Sequence, residues 1–407
     1  MGHPEALRSV APDRAGTVRL VVILGALAAF APLSFDMYLP AFPALATDFD
    51  TSASAIQLSL TACLVGVAAG QLVFGSLSDA RGRRGPLLVG LAVYTVASAL
   101  CALAPDAVTL AGLRFAQGVA AGAAVVASRA VVRDLHSGTA AARFFSSLML
   151  VNGLAPVLAP SIGSAVLEVT TWEGIFLVLA ATGVLLFAAV ALGLPETLPR
   201  ERRREAGMRR VLAGFGEPLR DRWFVGHALA QGFAVSAVFA YIAGSSFVLQ
   251  DVYGLSPRAF GLVFGLNGFG ILACSQLNRL LLRRARPRQI LLVGLAGSAV
   301  AGVCVLAAVA ADAPLVLVLA PLFVGVATIG IVMPNATALA LTNHPHVAGS
   351  ASALIGTTQF AIAAVVAPLV GIAGRETALP LGIALAVLGT AALVTGLVVP
   401  RRPVVAP

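Results

Sequence analysis

No lysine occurs in this chain; each of its 27 Lys/Arg positions is an arginine. That absence removes two function classes. A Walker A phosphate loop needs its lysine, and Schiff-base catalysis needs a lysine amine. An ATP-driven pump with its motor in the same chain is thereby excluded. Charge of either sign is scarce: 11% of residues are charged, where a soluble domain carries about 25%. The four cysteines (Cys63, Cys101, Cys274, Cys304) all lie in apolar runs without a C-x-x-C pair. They read as small buried side chains rather than disulfides or metal ligands. No G-x-S-x-G, no H-E-x-x-H and no clustered acids within the apolar runs point to an enzyme. No cofactor and no metal are expected. Nor is a cleavable signal peptide expected, since the arginine-dotted start leads into a full-length apolar run.

What the chain has in abundance is apolar length. Hydrophobic residues make up 59% of it, gathered in runs of about 18–25 residues, the length a helix needs to cross a bilayer. The runs predict twelve spans, near 19–42, 55–77, 86–104, 107–131, 142–166, 172–195, 223–248, 257–281, 288–311, 314–340, 347–372 and 377–399. Backbone polar groups in hydrocarbon must be satisfied within the segment, so each span is a helix. The fold class is an all-α membrane protein.

The arginines fall on alternate loops. Arg8, Arg14 and Arg19 precede the first span; Arg81, Arg83 and Arg84 follow the second; Arg129, Arg133 and Arg143 lie between the fourth and fifth. More lie between Arg200 and Arg222, between Arg279 and Arg288, and at Arg401 and Arg402. The opposite loops hold Arg258 and Arg375 beside Asp48, Asp50, Asp106, Glu168, Glu173, Asp251, Asp312 and Glu376. The positive-inside rule then predicts cytoplasmic termini. The formal charge of +9 reads as topology, so no nucleic-acid partner is expected.

The one long polar connection divides the chain six and six. The expected units are a cytoplasmic tail (1–18), a first bundle (19–195), an inter-bundle loop (196–222), a second bundle (223–399) and a second tail (400–407). A repeat supports the division: "GSLSDARGRR" (75–84) aligns with "SQLNRLLLRR" (275–284), and "LLVGLA" follows each, at 87–92 and 291–296. Two parallel six-helix repeats are a transporter architecture.

At the loop after span 2, Gly75, Leu77, Asp79, Gly82, Arg83 and Arg84 complete G-x-L-x-D-x-x-G-R-R. In this the chain resembles the major facilitator superfamily, over essentially its whole length. The resemblance implies that Gly75, Asp79, Gly82, Arg83 and Arg84 latch the two halves together, with Asp79 near Val347–Gly349 at the start of span 11. A merely topogenic loop would explain the arginines but not the glycines or Asp79. "LAGLRFAQGVAAG" (110–122) resembles that family's second motif, an intramembrane arginine followed by Q-G (Gln117–Gly118) and small residues. "GVAAG" recurs at 66–70, which makes the small-residue spacing alone a weak signal. "NGLAPVLAPSIGSAVL" (152–167) resembles the antiporter motif, with Pro156, Pro160 and Gly163 as hinge residues; Ala159 and Ser164 stand where that motif has glycines. "DMYLPAFP" (36–43), Ile56–Gln57 and Gly70–Gln71 resemble the bicyclomycin-resistance (Bcr/CflA) branch of twelve-span drug:proton antiporters.

Two ionisable residues other than histidine lie deep in the spans. An arginine at mid-membrane costs roughly 2.5–3.5 kcal/mol even on the lenient scale, so Arg114 is a functional candidate. Asp36 is the other, six residues inside the expected end of span 1, and Arg114 lies at a matching depth in span 4. Either they form a permanent structural ion pair, or Asp36 carries a proton under the control of Arg114. Pro40 is expected to kink span 1 and Pro43 to end it. Candidate substrate contacts are the polar or aromatic span residues Tyr38, Asn152, Gln231 and Tyr241, with Asn267, Asn335 and Gln359. His227 is expected at the membrane interface, and His344 and His346 at the surface.

The leading expectation is proton-coupled efflux of small amphipathic antibiotics of the bicyclomycin or phenicol type. It comes from a multi-pass protein of a bacterial inner membrane, whose partners are drug, protons and lipid. The superfamily implies a monomer. The alternatives are a nutrient or metabolite symporter or facilitator, and a membrane enzyme or receptor.

Overall fold

The computed structural model describes residues 14–399 except 136–137, 204–215, 345–347, 373 and 375. Twelve membrane-length segments follow one another as α1 (Val18–Asp48), α2 (Ala53–Arg81), α3 (Arg84–Cys101), α4 (Ala107–Leu135), α5 (Gly138–Leu167) and α6 (Trp172–Gly193). After the inter-half loop come α7 (Arg222–Val252), α8 (Pro257–Leu281), α9 (Pro287–Ala310), α10 (Leu315–Leu341), α11 (Ala348–Val370) and α12 (Leu379–Val398). Eleven are long and apolar enough to span by length and hydropathy; α5 is a long helix whose described apolar stretch is Leu154–Leu167. Their outward faces are apolar, with Val89, Val93 and Val96 exposed on α3 and Val293, Val300 and Val303 on α9. Lipid, not water, suits such faces.

The repeat is visible in how helices start and stop. Ser52 caps α2 by accepting from the Ala55 N–H, and Ser256 caps α8 by accepting from the Ala259 N–H, each at 3.2 Å. Both caps satisfy first-turn donors that have no helical partner. Where Asp79 sits in the first copy, the second has Arg279.

Span 1 departs from expectation. It does not end near residue 42. A helix runs to Asp36, a 3₁₀ turn covers Leu39–Ala41, and the helix resumes as Phe42–Asp48. Pro43 lies in the first turn of this resumed segment, where a missing N–H costs nothing. It starts a helix rather than ending one. Asp36 is therefore farther from the end of the span than six residues, at the break itself.

The most extensive helix contact joins α2 to α4, and its cause is the repeated "GVAAG". A Cβ on Gly66 would meet the Phe115 carbonyl at 2.3 Å, and one on Gly118 would meet the Cys63 carbonyl at 2.2 Å. The two copies pack against each other, so the spacing that looked weak is an interface.

His344 is not a surface residue. It is buried between α10 and the start of α7, its Nδ1 3.3 Å from Glu217 and its Nε2 3.1 Å from Asp221. Asp221 caps α7 through the Trp223 N–H at 2.9 Å and accepts from Asn343 at 2.7 Å. Partial burial opposes its ionisation, but these donors together hold its carboxyl below the usual carboxylate value. A depressed folded value stabilises above the unfolded value and is lost as pH falls through the folded one. Asp221→Asn should thus lower the melting temperature in detergent at neutral pH. The gap to wild type should close as pH drops below about 4. His227 is also buried, bonded to the Trp223 carbonyl at 2.8 Å. His346 lies outside the described residues.

Candidate functional site

The break in α1 leaves backbone carbonyls without helical partners, as every helix end does. Arg114 of α4 answers one of them: its Nη2 donates to the Ser34 carbonyl at 2.8 Å. A cation is also favoured at the carbonyl end of a helix. The guanidinium carbon lies 4.1 Å from the centre of the Tyr38 ring and 5.7 Å from that of Phe176. Its Nη1 donates to Gln117, one turn along α4. Gln117 donates to Ser98 at 2.6 Å, and the Ser34 hydroxyl is paired with Tyr94 at 2.6 Å. Arg114 is fully buried. A desolvated cation–π contact is worth about 2 kcal/mol and a hydrogen bond from a charged donor about 1.5–3 kcal/mol. These contacts together offset the roughly 2.5–3.5 kcal/mol of placing the charge there.

Asp36 is 3% exposed and is the one buried carboxylate among the described residues. It is not ion-paired with Arg114 in this structure: the described salt bridges do not include it. Arg114 instead brackets it, touching Ser34 and Tyr38 on either side in the chain. The carboxylate lies within electrostatic range of Arg114 and of Tyr241 on α7. Tyr241 accepts from Asn267 of α8 at 2.8 Å and stacks on Phe264. Asp36 thus interacts electrostatically with a group in each half, Arg114 in its own and Tyr241 in the second.

The other substrate candidates divide. Gln231 accepts from Thr337 at 2.8 Å, and Asn335 donates to Asn278 at 2.6 Å and to the Ile331 carbonyl. Both sit in bonds between helices of the second half. Gln359, half-buried on α11, has an Oε1 with no partner. The side chain of Asn152 lies outside those described.

Gly163 explains the motif on α5. A Cβ there would fall 1.8 Å from the Met37 carbonyl, so α5 presses directly on the break. Ser164, in place of a motif glycine, donates to the Pro160 carbonyl of its own helix and across the halves to that of Pro257, both at 2.8 Å. Ser161 donates to the Gly261 carbonyl at 3.1 Å.

Residues 24–368 match the model of the Major Facilitator Superfamily. The chain belongs to the Major Facilitator Superfamily. It is 42% identical over 365 residues to the "Uncharacterized MFS-type transporter YdgK" of Bacillus subtilis, covering 89% of this chain and 90% of that protein. It is 31% identical over 369 residues to a "Bicyclomycin resistance protein homolog" of Haemophilus influenzae, covering 90% and 92%. Among solved structures, the nucleoside transporter NupG superposes with a TM-score of 0.75 at 10% identity, covering 94% of this chain and 98% of that one. The protein is a multi-pass membrane transporter with the superfamily's two-bundle fold.

The described contacts of the superfamily loop motif run to α4 and to Glu196 of the inter-half loop. Arg83 bonds Asp79 at 2.5 Å, Ser78 at 3.0 Å and Asp134 at 2.8 Å. Glu196 accepts from the Arg83 and Arg84 N–H groups at 2.8 and 3.2 Å. Gly82 has φ of 98°, and a Cβ on it would strike Glu196. Gly75 has no such constraint, its nearest neighbour being Val126 at 4.0 Å. The Asp79 side chain is 57% exposed, and its expected neighbours near Val347–Gly349 fall outside the described side chains.

Sequence reasoning missed Ser34, Tyr94 and Ser98, and noted Gln117 only as part of the span 4 motif without a role. A polar residue recurring near a buried arginine on neighbouring spans is the signal that could have found them.

Proposed function

We propose that this transporter exports small amphipathic drugs of the bicyclomycin or phenicol type in exchange for protons, with Asp36 as proton carrier and Arg114 tuning it. The observation that carries the reading is the buried Asp36 at a helix break, without an ion-pair partner among the described residues and within electrostatic range of Arg114 in its own half and Tyr241 in the other. Arg114 has partners of its own in a carbonyl, an amide and aromatic faces, its Nε alone lacking a hydrogen-bond acceptor among the described residues. Asp36 can therefore gain or lose a proton without leaving a guanidinium stranded. The likeness to a bicyclomycin-resistance homolog supports the substrate class. The arginine-rich face is cytoplasmic by the positive-inside rule, in a bacterial inner membrane, and the transporter works as a monomer. Tyr241, Asn267, Tyr38 and Gln359 are the side chains we assign to the drug, and the Asp79–Arg83–Arg84 loop is the latch that closes the cytoplasmic face.

Proteoliposomes loaded with chloramphenicol or bicyclomycin test this reading under an imposed pH gradient. The expected result is efflux that rises with the gradient and collapses with a protonophore. Gradient-driven uptake would instead select the nutrient-symporter alternative, and flux indifferent to the gradient would reject proton coupling.

A further inference from the structure

The face opposite the arginine-rich loops is fastened by side chains that grip backbone. Ser54 of α2 donates to the Pro368 carbonyl of α11 at 3.0 Å, and Gln57 to that of Ala243 on α7 at 3.1 Å. Ser161 and Ser164 of α5 bind α8, as described above. An exposed ion pair, Arg258–Glu168 at 3.7 Å, sits at the rim and is worth little in energy.

Two further bonds differ from these in where they land. Ser246 donates to the Leu39 carbonyl, and Gln250 donates to the Pro40 carbonyl at 3.2 Å. Gln250 also donates to Ser246 at 2.8 Å, so the two form a chain. Pro43 has no N–H, so the Leu39 carbonyl accepts from the Phe42 N–H of the 3₁₀ turn in place of the i+4 donor, with Ser246 as its second partner. Both acceptors lie in the broken stretch of α1 that begins at Asp36. Gln250 itself lies in a π-helical turn, Val248–Val252. Such turns depart from the regular ladder and concentrate at functional positions. Ser246 is fully buried.

We propose that Ser246 and Gln250 are positioning residues forming a latch: by gripping the carbonyls of the α1 break, they couple the state of Asp36 to closure of this face. The coupling to Asp36 rests on the proton-exchange reading above; the latch itself does not. A change at Asp36 alters the break, the break moves the Leu39 and Pro40 carbonyls, and the grip of α7 tightens or fails. The bonds on α5 and α2 close the same face without touching the break. The groups facing Asp36 are Arg114 of α4 and Tyr241 of α7, and Arg114 is faced in turn by Tyr38, Tyr94, Cys63 and Cys101. Next to the break α5 contributes Gly163, and α8 contributes Asn267 behind Tyr241; neither titrates.

Spin labels at Asp106 and Ala311, exposed loop positions of opposite halves on this face, report the opening as a distance. The full chain would be labelled in nanodiscs with its four native cysteines replaced by alanine, at acid and at alkaline pH. Each lost hydrogen bond shifts such an equilibrium about two- to tenfold. Ser246→Ala with Gln250→Ala should therefore raise the open population about fivefold or more. The double variant should also lose the pH-dependent shift that wild type shows and Asp36→Asn lacks. Ser164→Ala should open the face yet keep that shift. An unchanged distance in the double variant overturns the latch, and opening with the wild-type pH shift intact overturns its coupling to Asp36. Opening in the double variant with no pH shift in wild type leaves the latch standing and rejects the proton-exchange reading. Should the double variant fail to fold, Gln250→Met at the half-buried position gives the same readout.

Discussion

Asparagine in place of Asp36 should abolish gradient-driven drug efflux, reducing it to the level of empty vesicles. Asparagine keeps the shape and polarity of the side chain but cannot change charge between pH 5 and 8. No second buried carboxylate among the described residues stands ready to replace it. The fold should tolerate the change, because the contacts that secure Arg114 (the Ser34 carbonyl, Gln117 and the Tyr38 ring) do not involve Asp36. Melting temperature and expression are therefore expected to match wild type. Downhill drug exchange across vesicles without a gradient should persist, since binding and rocking of the halves do not require a titrating group. Loss of that exchange as well would mean Asp36 supports the site's structure rather than its coupling.

Lysine in place of Arg114 is expected to be nearly as damaging, for a different reason. The guanidinium does several things at once: it stacks on Tyr38, reaches the Ser34 carbonyl and donates to Gln117. An ammonium is a compact point charge without a planar fork, and it cannot satisfy all of these together. Losing a desolvated stacking contact and one charged hydrogen bond removes about 3–5 kcal/mol. The charge itself is retained. Arg114→Lys should thus melt well below wild type and transport at least about tenfold more slowly. If it transports normally, charge alone is what the position supplies, and the carbonyl-capping geometry is incidental.

Much of this fold was legible because hydrocarbon imposes a coarse code. Apolar runs of sufficient length became helices within a few residues of the expected limits, and α8 lies at the expected positions throughout (Pro257–Leu281). Asp36 and Arg114 stood out because charge there is costly. Their relation was not legible. Arg114 bonds a backbone carbonyl, and carbonyls leave no mark in a sequence. For the same reason the fastening of the opposite face went unseen: Ser54, Gln57, Ser246 and Gln250 all donate to carbonyls. Span 1 was cut short because a proline ends a hydrogen-bond ladder without turning the chain, and helix resumed at Phe42. His344 was misplaced because its loop looks polar, while Glu217 and Asp221 that enclose it come from a segment more than a hundred residues earlier.

The most direct test of Asp36 as the proton site needs no knowledge of the substrate. Infrared difference spectra of the transporter in lipid, recorded as pH is varied, report the carbonyl stretch of a protonated carboxyl group shielded from water. Wild type should show such a band appearing and disappearing with pH, and Asp36→Asn should lack it with the rest of the spectrum unchanged. A titrating buried-carboxyl band that survives Asp36→Asn intact would contradict the account, because the proton would then reside elsewhere.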